Sequence, residues 1–211
     1  PLPAARVLMV ARRQVDRHPR QQRPGDGEEA VPVTLFGAPL DDISGVEHEV
    51  GIFFEDRLHE PTEIRACLSW YPDDVWRYLV ACDWARIDEE LPLMSRAGHR
   101  GDDLGSRVIA ARIADRAIHL AFLLRRSWAP YSKWRGALFL RLGGVEPMAN
   151  AVSSALDART WEDRQSAIGQ VLDELLRIQA STELDARPAS ACEPFYDRPY
   201  LRVETSIVGD L

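Results

Sequence analysis

From Trp76 onward, large apolar residues recur at helical spacing for most of the chain, and that periodicity limits the fold more than any other feature. Trp76, Val80, Trp84, Ile87 and Leu91 follow i, i+4, i+8, i+11 and i+15, one stripe of an amphipathic helix. Pro61 and Pro72 suit first-turn positions, where a missing N–H costs nothing. Asp73 and Asp74 then lie where the helix dipole favours negative charge, and the helix is expected to end near Pro92 or shortly beyond it. Gly98-His99-Arg100-Gly101 makes a turn, and Asp102 is a suitable N-cap for a helix reaching about Arg126. That helix carries two adjacent stripes. One is Ile109, Ile113, Ala117, Leu120 and Leu124; the other is Leu104, Val108, Ala111, Ile118 and Phe122, interrupted by Asp115. Two stripes predict a helix buried over a wide arc, with the Asp115 carboxylate near the core.

Pro130 breaks the pattern, and Ser132 can cap a further helix through Leu142. Gly143-Gly144 ends it, and a short helix is expected over Pro147 to Leu156. Thr160-Trp161-Glu162-Asp163 has the form of a capping box opening a long helix, with Ile168, Val171, Leu172, Leu175 and Ile178 facing inward. The segment Ala186 to Pro199 reads as irregular, and Leu201, Val203, Thr205 and Ile207 alternate as an edge strand. Near the start, Arg6 to Val10 fits a short strand, and Val31 to Phe36 with Val46 to Phe54 fits a small hairpin. Arg17 to Ala30 lacks large apolar residues and reads as a flexible linker. The expected fold is mainly α: a four- to five-helix bundle with a small N-terminal β-hairpin and a C-terminal edge strand. Residues 1–30 form a flexible N-terminal segment and 31–211 the helical bundle domain.

Composition narrows function. With 45% apolar residues among 211, the chain can bury a real core, and it has no run of 18 apolar residues to span a bilayer. Three widely spaced cysteines, Cys67, Cys82 and Cys192, fit neither a disulfide framework nor a zinc ribbon, which points to a reducing cytoplasm. Cys67 and Cys82 fall in apolar helical patterns and read as core residues. A net charge of −7, with one dense basic stretch from Arg12 to Arg23, argues against nucleic acid as partner. The five histidines lack metal-ligand spacing, and Glu47 with Glu49 reads as a solvated strand face, so no metal is expected. No cofactor loop of the Walker or dinucleotide type occurs. Gly105-Ser106 with Asp115 imitates a nucleotidyltransferase signature, but its second carboxylate position is Ala117 and the segment is helical.

The most concentrated chemistry lies in Trp128-Ala129-Pro130-Tyr131-Ser132-Lys133-Trp134. It gathers two Trp, one Tyr, one Ser and Lys133, the single lysine among 26 basic residues. Aromatic faces and an ammonium on a proline-fixed turn suit a polar ligand with phosphate or carboxylate groups.

LSWYPDDVWRYLVACDWARI (68–87), GDDLGSRVIAARI (101–113), LLRRSWAPYSKWRGALFLRL (123–142) and FYDRPY (195–200) resemble an uncharacterised helical domain of actinobacterial and other bacterial proteins. That domain usually follows a nucleotidyltransferase-like catalytic domain. The likeness runs over roughly Val46 to Leu201, and PYSKW is its most specific part. It implies a bundle like the C-terminal substrate-binding domain of aminoglycoside nucleotidyltransferases. The chain departs from the pattern where the Gly-Ser and paired-carboxylate half would stand: Arg6 to Val10 carries Leu8 and Met9 in place of a carboxylate, and Asp83 replaces a Gln.

Three functional expectations follow. One is a small-molecule site lined by Glu89, Asp102, Arg112, Tyr131, Ser132, Lys133 and Trp134, in a protein repurposed as a metal-independent biosynthetic enzyme. Another is a non-catalytic module pairing with a separate nucleotidyltransferase chain or with itself. The third is a nucleotidyltransferase whose catalytic part precedes Pro1.

Overall fold

The computed structural model describes Thr34–Leu35, Ala38–Pro39 and residues 69–184 and 188–209. The chain divides into two units, Pro1–Ser69 and Trp70–Leu211. In the first, β1 (Thr34–Leu35) pairs antiparallel with β2 (Ala38–Pro39), so the chain reverses sooner than the expected Val31–Phe36 and Val46–Phe54 hairpin. Val46–Phe54, Arg6–Val10, Pro61, Cys67 and the boundary expected at residue 30 lie outside the described residues.

The second unit is mainly α. Its helices are α1 (Asp73–His99), α2 (Asp103–Leu124), α3 (Ser132–Phe139), α4 (Glu146–Asp157), α5 (Trp161–Gln179) and α6 (Thr205–Gly209). Between α5 and α6, β3 (Cys192–Pro194) pairs antiparallel with β4 (Leu201–Val203), Glu193 opposite Arg202. Helices α1 and α2 form an antiparallel hairpin, α4 packs on α5, and α5 crosses both α2 and α1.

The expected α1 stripe is fully buried, and both of its indoles are satisfied. Trp76 Nε1 donates to Leu123 O at 2.7 Å, and Trp84 Nε1 to Gln179 Oε1 at 2.8 Å. The helix does not stop near Pro92; it continues to His99 with Pro92 inside it. An interior proline costs about 3 kcal/mol, but the next turn buries Met94 and Ser95 completely, and that packing offsets the loss. Cys82 also departs from expectation: it is exposed. It stands two residues from both Val80 and Trp84, about 200° around the helix, on the opposite face.

Asp102 caps α2 as expected, its carboxylate accepting Gly105 N–H at 2.8 Å. The wide burial predicted for α2 holds only over its C-terminal half. Ile113, Ala117, Leu120 and Leu124 are buried, but in the second stripe Leu104, Val108 and Ala111 are exposed while Phe122 is covered. Asp115 is correspondingly solvent-facing and accepts from Arg135 Nη1 at 2.6 Å. That pair ties α3 to the middle of α2.

Helix α3 is capped by Tyr131, without a side-chain bond from Ser132, and ends at Phe139 rather than Leu142. Thr160 Oγ1 accepts Asp163 N–H at 3.1 Å, the N-cap half of the box, but the short Asp163 side chain accepts from the Thr160 hydroxyl at 2.7 Å rather than from its backbone N–H. The expected edge strand ends at Val203; Thr205 and Ile207 belong to α6. Cys192–Pro194, expected to be irregular, is its partner strand. β4 is anchored to α1 by Asp88, which accepts Val203 N–H at 3.0 Å and Arg202 Nη2 at 3.1 Å.

Candidate functional site in the α1–α2 groove

Trp76, Val80, Asp83, Ile87, Glu90 and Met94 are spaced four and three residues apart, the seam of a helix that pairs with another along its length. All six are buried. Two of them are carboxylates, and α2 meets these with cations at matching spacing: Arg112, Arg116 and His119. Glu90 accepts from Arg112 Nε on one oxygen and Arg86 Nη2 on the other, both at 3.0 Å. One turn pair away, Asp83 accepts from Arg116 Nη1 at 3.1 Å, and its other oxygen lies 2.6 Å from His119 Nδ1.

Bulky guanidinium groups at the seam leave a groove of about 540 Å³. Arg86, Ile87 and Glu90 line it from α1, and Val108, Ala111, Arg112, Ile113, Asp115 and Arg116 from α2. Ile87 and Ile113 give it an apolar floor, and its walls carry five charged side chains, so it is more polar than most small-molecule pockets and suits a charged ligand. The two arginines of α2 are only half buried, and each is oriented by a carboxylate that is itself buried. Arg112 engages Glu90 through Nε, which leaves both its Nη groups unpaired among the described residues. Such a guanidinium can take a carboxylate or phosphate in a forked pair.

Of the residues expected at a ligand site, Arg112 lines this groove. Glu89 stands beside it, exposed, accepting from Arg86 Nη1 at 2.9 Å. Tyr131, Ser132 and Lys133 are exposed at the start of α3, with Lys133 Nζ 5.3 Å from the centroid of the half-buried Trp134. The Arg135–Asp115 pair brings that turn to the groove's rim. Asp102 is not among the lining residues: its carboxylate caps α2 six residues before Val108, about 9 Å along the helix from the near end of the groove. Trp128 packs against Tyr71 and Trp70, with ring centroids 4.4 and 5.3 Å apart.

Sequence reasoning missed Asp83, Glu90, Arg116 and His119. The signal was present as carboxylates at seam positions of one helix and cations at seam positions of the next. It also missed that Ser69-Trp70-Tyr71-Pro72 and Ser127-Trp128-Ala129-Pro130 are one motif used twice, each followed by a tryptophan four residues after its proline. The clustered pair Trp70 and Trp128 comes from these two copies. Among the described residues, no three His, Cys, Asp or Glu side chains are grouped as a metal centre, and no helix is long and apolar enough to cross a membrane.

Fold and groove together define a helical bundle built on a charged-seam hairpin. Residues 43–135 match the family model described as a domain of unknown function, DUF4037. The match covers less than half of the chain, yet it includes α1, α2, the Trp128–Trp134 turn and every residue lining the groove. No curated protein and no solved structure matches the chain.

Proposed function

We propose that the bundle binds a polar, anionic small molecule in the α1–α2 groove and that it acts there as a metal-independent enzyme of biosynthesis. The observation that carries this reading is the pair of half-exposed guanidiniums, Arg112 and Arg116, held over an apolar floor by the buried carboxylates of Glu90 and Asp83. Replacing buried ion pairs by apolar residues is often neutral or stabilising, so stability alone gives little reason to keep four charges in this seam. The resemblance of 68–87, 101–113, 123–142 and 195–200 to an uncharacterised helical domain that usually follows a nucleotidyltransferase-like domain agrees with this reading, because it implies a bundle like a substrate-binding domain.

The test is a thermal-shift screen of phosphorylated and carboxylated metabolites, with hits measured by calorimetry against wild type and Arg112→Gln. A hit that loses at least about tenfold in affinity in the variant, close to the 1.5 kcal/mol or more of a charged hydrogen bond, supports the site. A screen without hits, or hits indifferent to Arg112, refutes it.

One observation favours a second reading, a module that pairs with a separate nucleotidyltransferase chain or with itself. Leu104 is 75% and Val108 49% exposed on one face of α2, next to the groove. Light scattering on wild type and Leu104→Glu would report self-association, and a concentration-independent monomer would rule out the homodimer.

A further inference from the structure

We infer that the anion bound in the α1–α2 groove is an amphiphile: its phosphate or carboxylate pairs with Arg112 and Arg116, and a single apolar chain runs from there toward Leu104. This rests on the groove being a small-molecule site. Leu104, Val108, Ala111 and Asp115 follow i, i+4, i+7 and i+11, one stripe of α2, and the last three line the groove. Leu104 therefore continues the lining stripe about 6 Å beyond Val108. On α1, Arg86, Glu90 and Leu93 follow i, i+4 and i+7, and the first two line the groove. Glu90 meets Arg112 while Asp83 meets Arg116, so the helices run antiparallel and Leu93, one turn beyond Glu90, is level with Val108. Leu93, Leu104 and Val108 are all exposed.

The groove is thus divided along its length. At one end the unmet need is for an acceptor. Arg116 uses Nη1 on Asp83, which leaves Nε and Nη2 unpaired among the described residues, beside the two free Nη groups of Arg112. Both oxygens of Glu90 are taken by guanidiniums, and Asp115 already accepts from Arg135. An anion takes such donors in charged hydrogen bonds. At the other end the unmet need is for apolar cover, over Leu93, Leu104 and Val108. Arg107, next to that end, is turned to Asp103 at 2.8 Å. Arg112 and Leu104 are eight residues apart, about 12 Å along the helix, so one ligand with a chain of several methylenes serves both ends. A small hydrophilic anion would leave the apolar end bare.

The test is calorimetry on the full chain with two pairs of probes, ethyl and hexyl phosphate and propionate and heptanoate. Each covered methylene tightens binding about fourfold, so the longer member of a pair is expected to bind at least about tenfold tighter. Leu104→Gln, at a side chain that contributes little packing, should cut that ratio at least about threefold. Arg112→Gln should weaken both members and leave the ratio standing. Equal affinities that both fall in Arg112→Gln overturn the chain and keep the groove reading. A ratio indifferent to Leu104 overturns the assigned path. Absence of binding by all four probes overturns the amphiphile, whereas the wider metabolite screen decides the groove reading by itself. Two other occupants of the apolar end would also overturn it: a second copy, seen as a wild-type dimer that Leu104→Gln dissolves, and a membrane, seen as Leu104-dependent sedimentation with phosphatidylglycerol vesicles.

Discussion

Arg164 is fully buried, and its replacement tests the packing logic of the bundle most directly. Its Nη1 donates to the buried Ser106 hydroxyl at 2.7 Å, and its Nη2 to Asp103 Oδ1 at 2.8 Å and Ala158 O at 3.0 Å. One side chain thus ties the start of α5 to the start of α2 and the end of α4. Arg164→Met keeps the apolar stem but removes the donors. Asp103 is 54% exposed and can turn to water, so the cost falls mainly on Ser106, about 1–3 kcal/mol for an unsatisfied buried group. Arg164→Ala also removes the stem, adding roughly 2 kcal/mol at about 0.8 per buried methylene. The expected losses are therefore about 1–3 kcal/mol for Met and about 3–5 for Ala, measured by urea denaturation of the full chain. Ser106→Ala combined with Arg164→Met should cost less than the two single changes summed, because both polar partners then leave together. A neutral or stabilising Arg164→Met would refute this reasoning, since it would mean that desolvating the guanidinium outweighs its three hydrogen bonds.

The same residue predicts an acid response. The hydrogen bond from Arg164, helped by Arg107 and opposed by burial, holds the Asp103 carboxyl below the usual carboxylate range. The folded value lies below the unfolded one, so this stabilisation is complete above the ordinary carboxylate range and is lost as pH falls through the folded value. Melting temperatures of wild type and Arg164→Met should accordingly converge as the solution is acidified through that range, and a constant gap would contradict the linkage. At Gly98 an added Cβ would stand 2.2 Å from Trp161 Cβ, so Gly98→Ala should destabilise by about 1–3 kcal/mol of overpacking, less up to about 1 gained in helix propensity. Gly136 in α3 has open space around it, and Gly136→Ala should raise the melting temperature instead. Burial first, and then Asp173, push the Cys192 thiol up to about 12, whereas Cys82 is exposed. A maleimide at neutral pH should label Cys82 and spare Cys192 until the protein is unfolded, as read by peptide mass mapping.

The sequence by itself determined that this is a helical bundle, because helical periodicity is a local pattern that survives without knowledge of neighbours. The stripe from Trp76 to Leu91 repeats within a single helix, the Asp102 and Thr160 caps are each set within one turn of chain, and all three appear in the structure. Ends set by tertiary contact were not legible in the same way. Pro92 stays helical because of what the following turn buries, and Thr205 leaves the strand pattern for α6. The second stripe of α2 is the clearest case, since Leu104, Val108, Phe122 and their neighbours form one periodic pattern, yet only its C-terminal part is covered. The groove was hidden for the same reason. Asp83 and Glu90 show as carboxylates at seam positions, but only the antiparallel register of α1 and α2 decides that Arg112, Arg116 and His119 meet them. Periodicity fixes which face of a helix is apolar; which partner lies opposite a given residue depends on contacts between segments far apart in the chain.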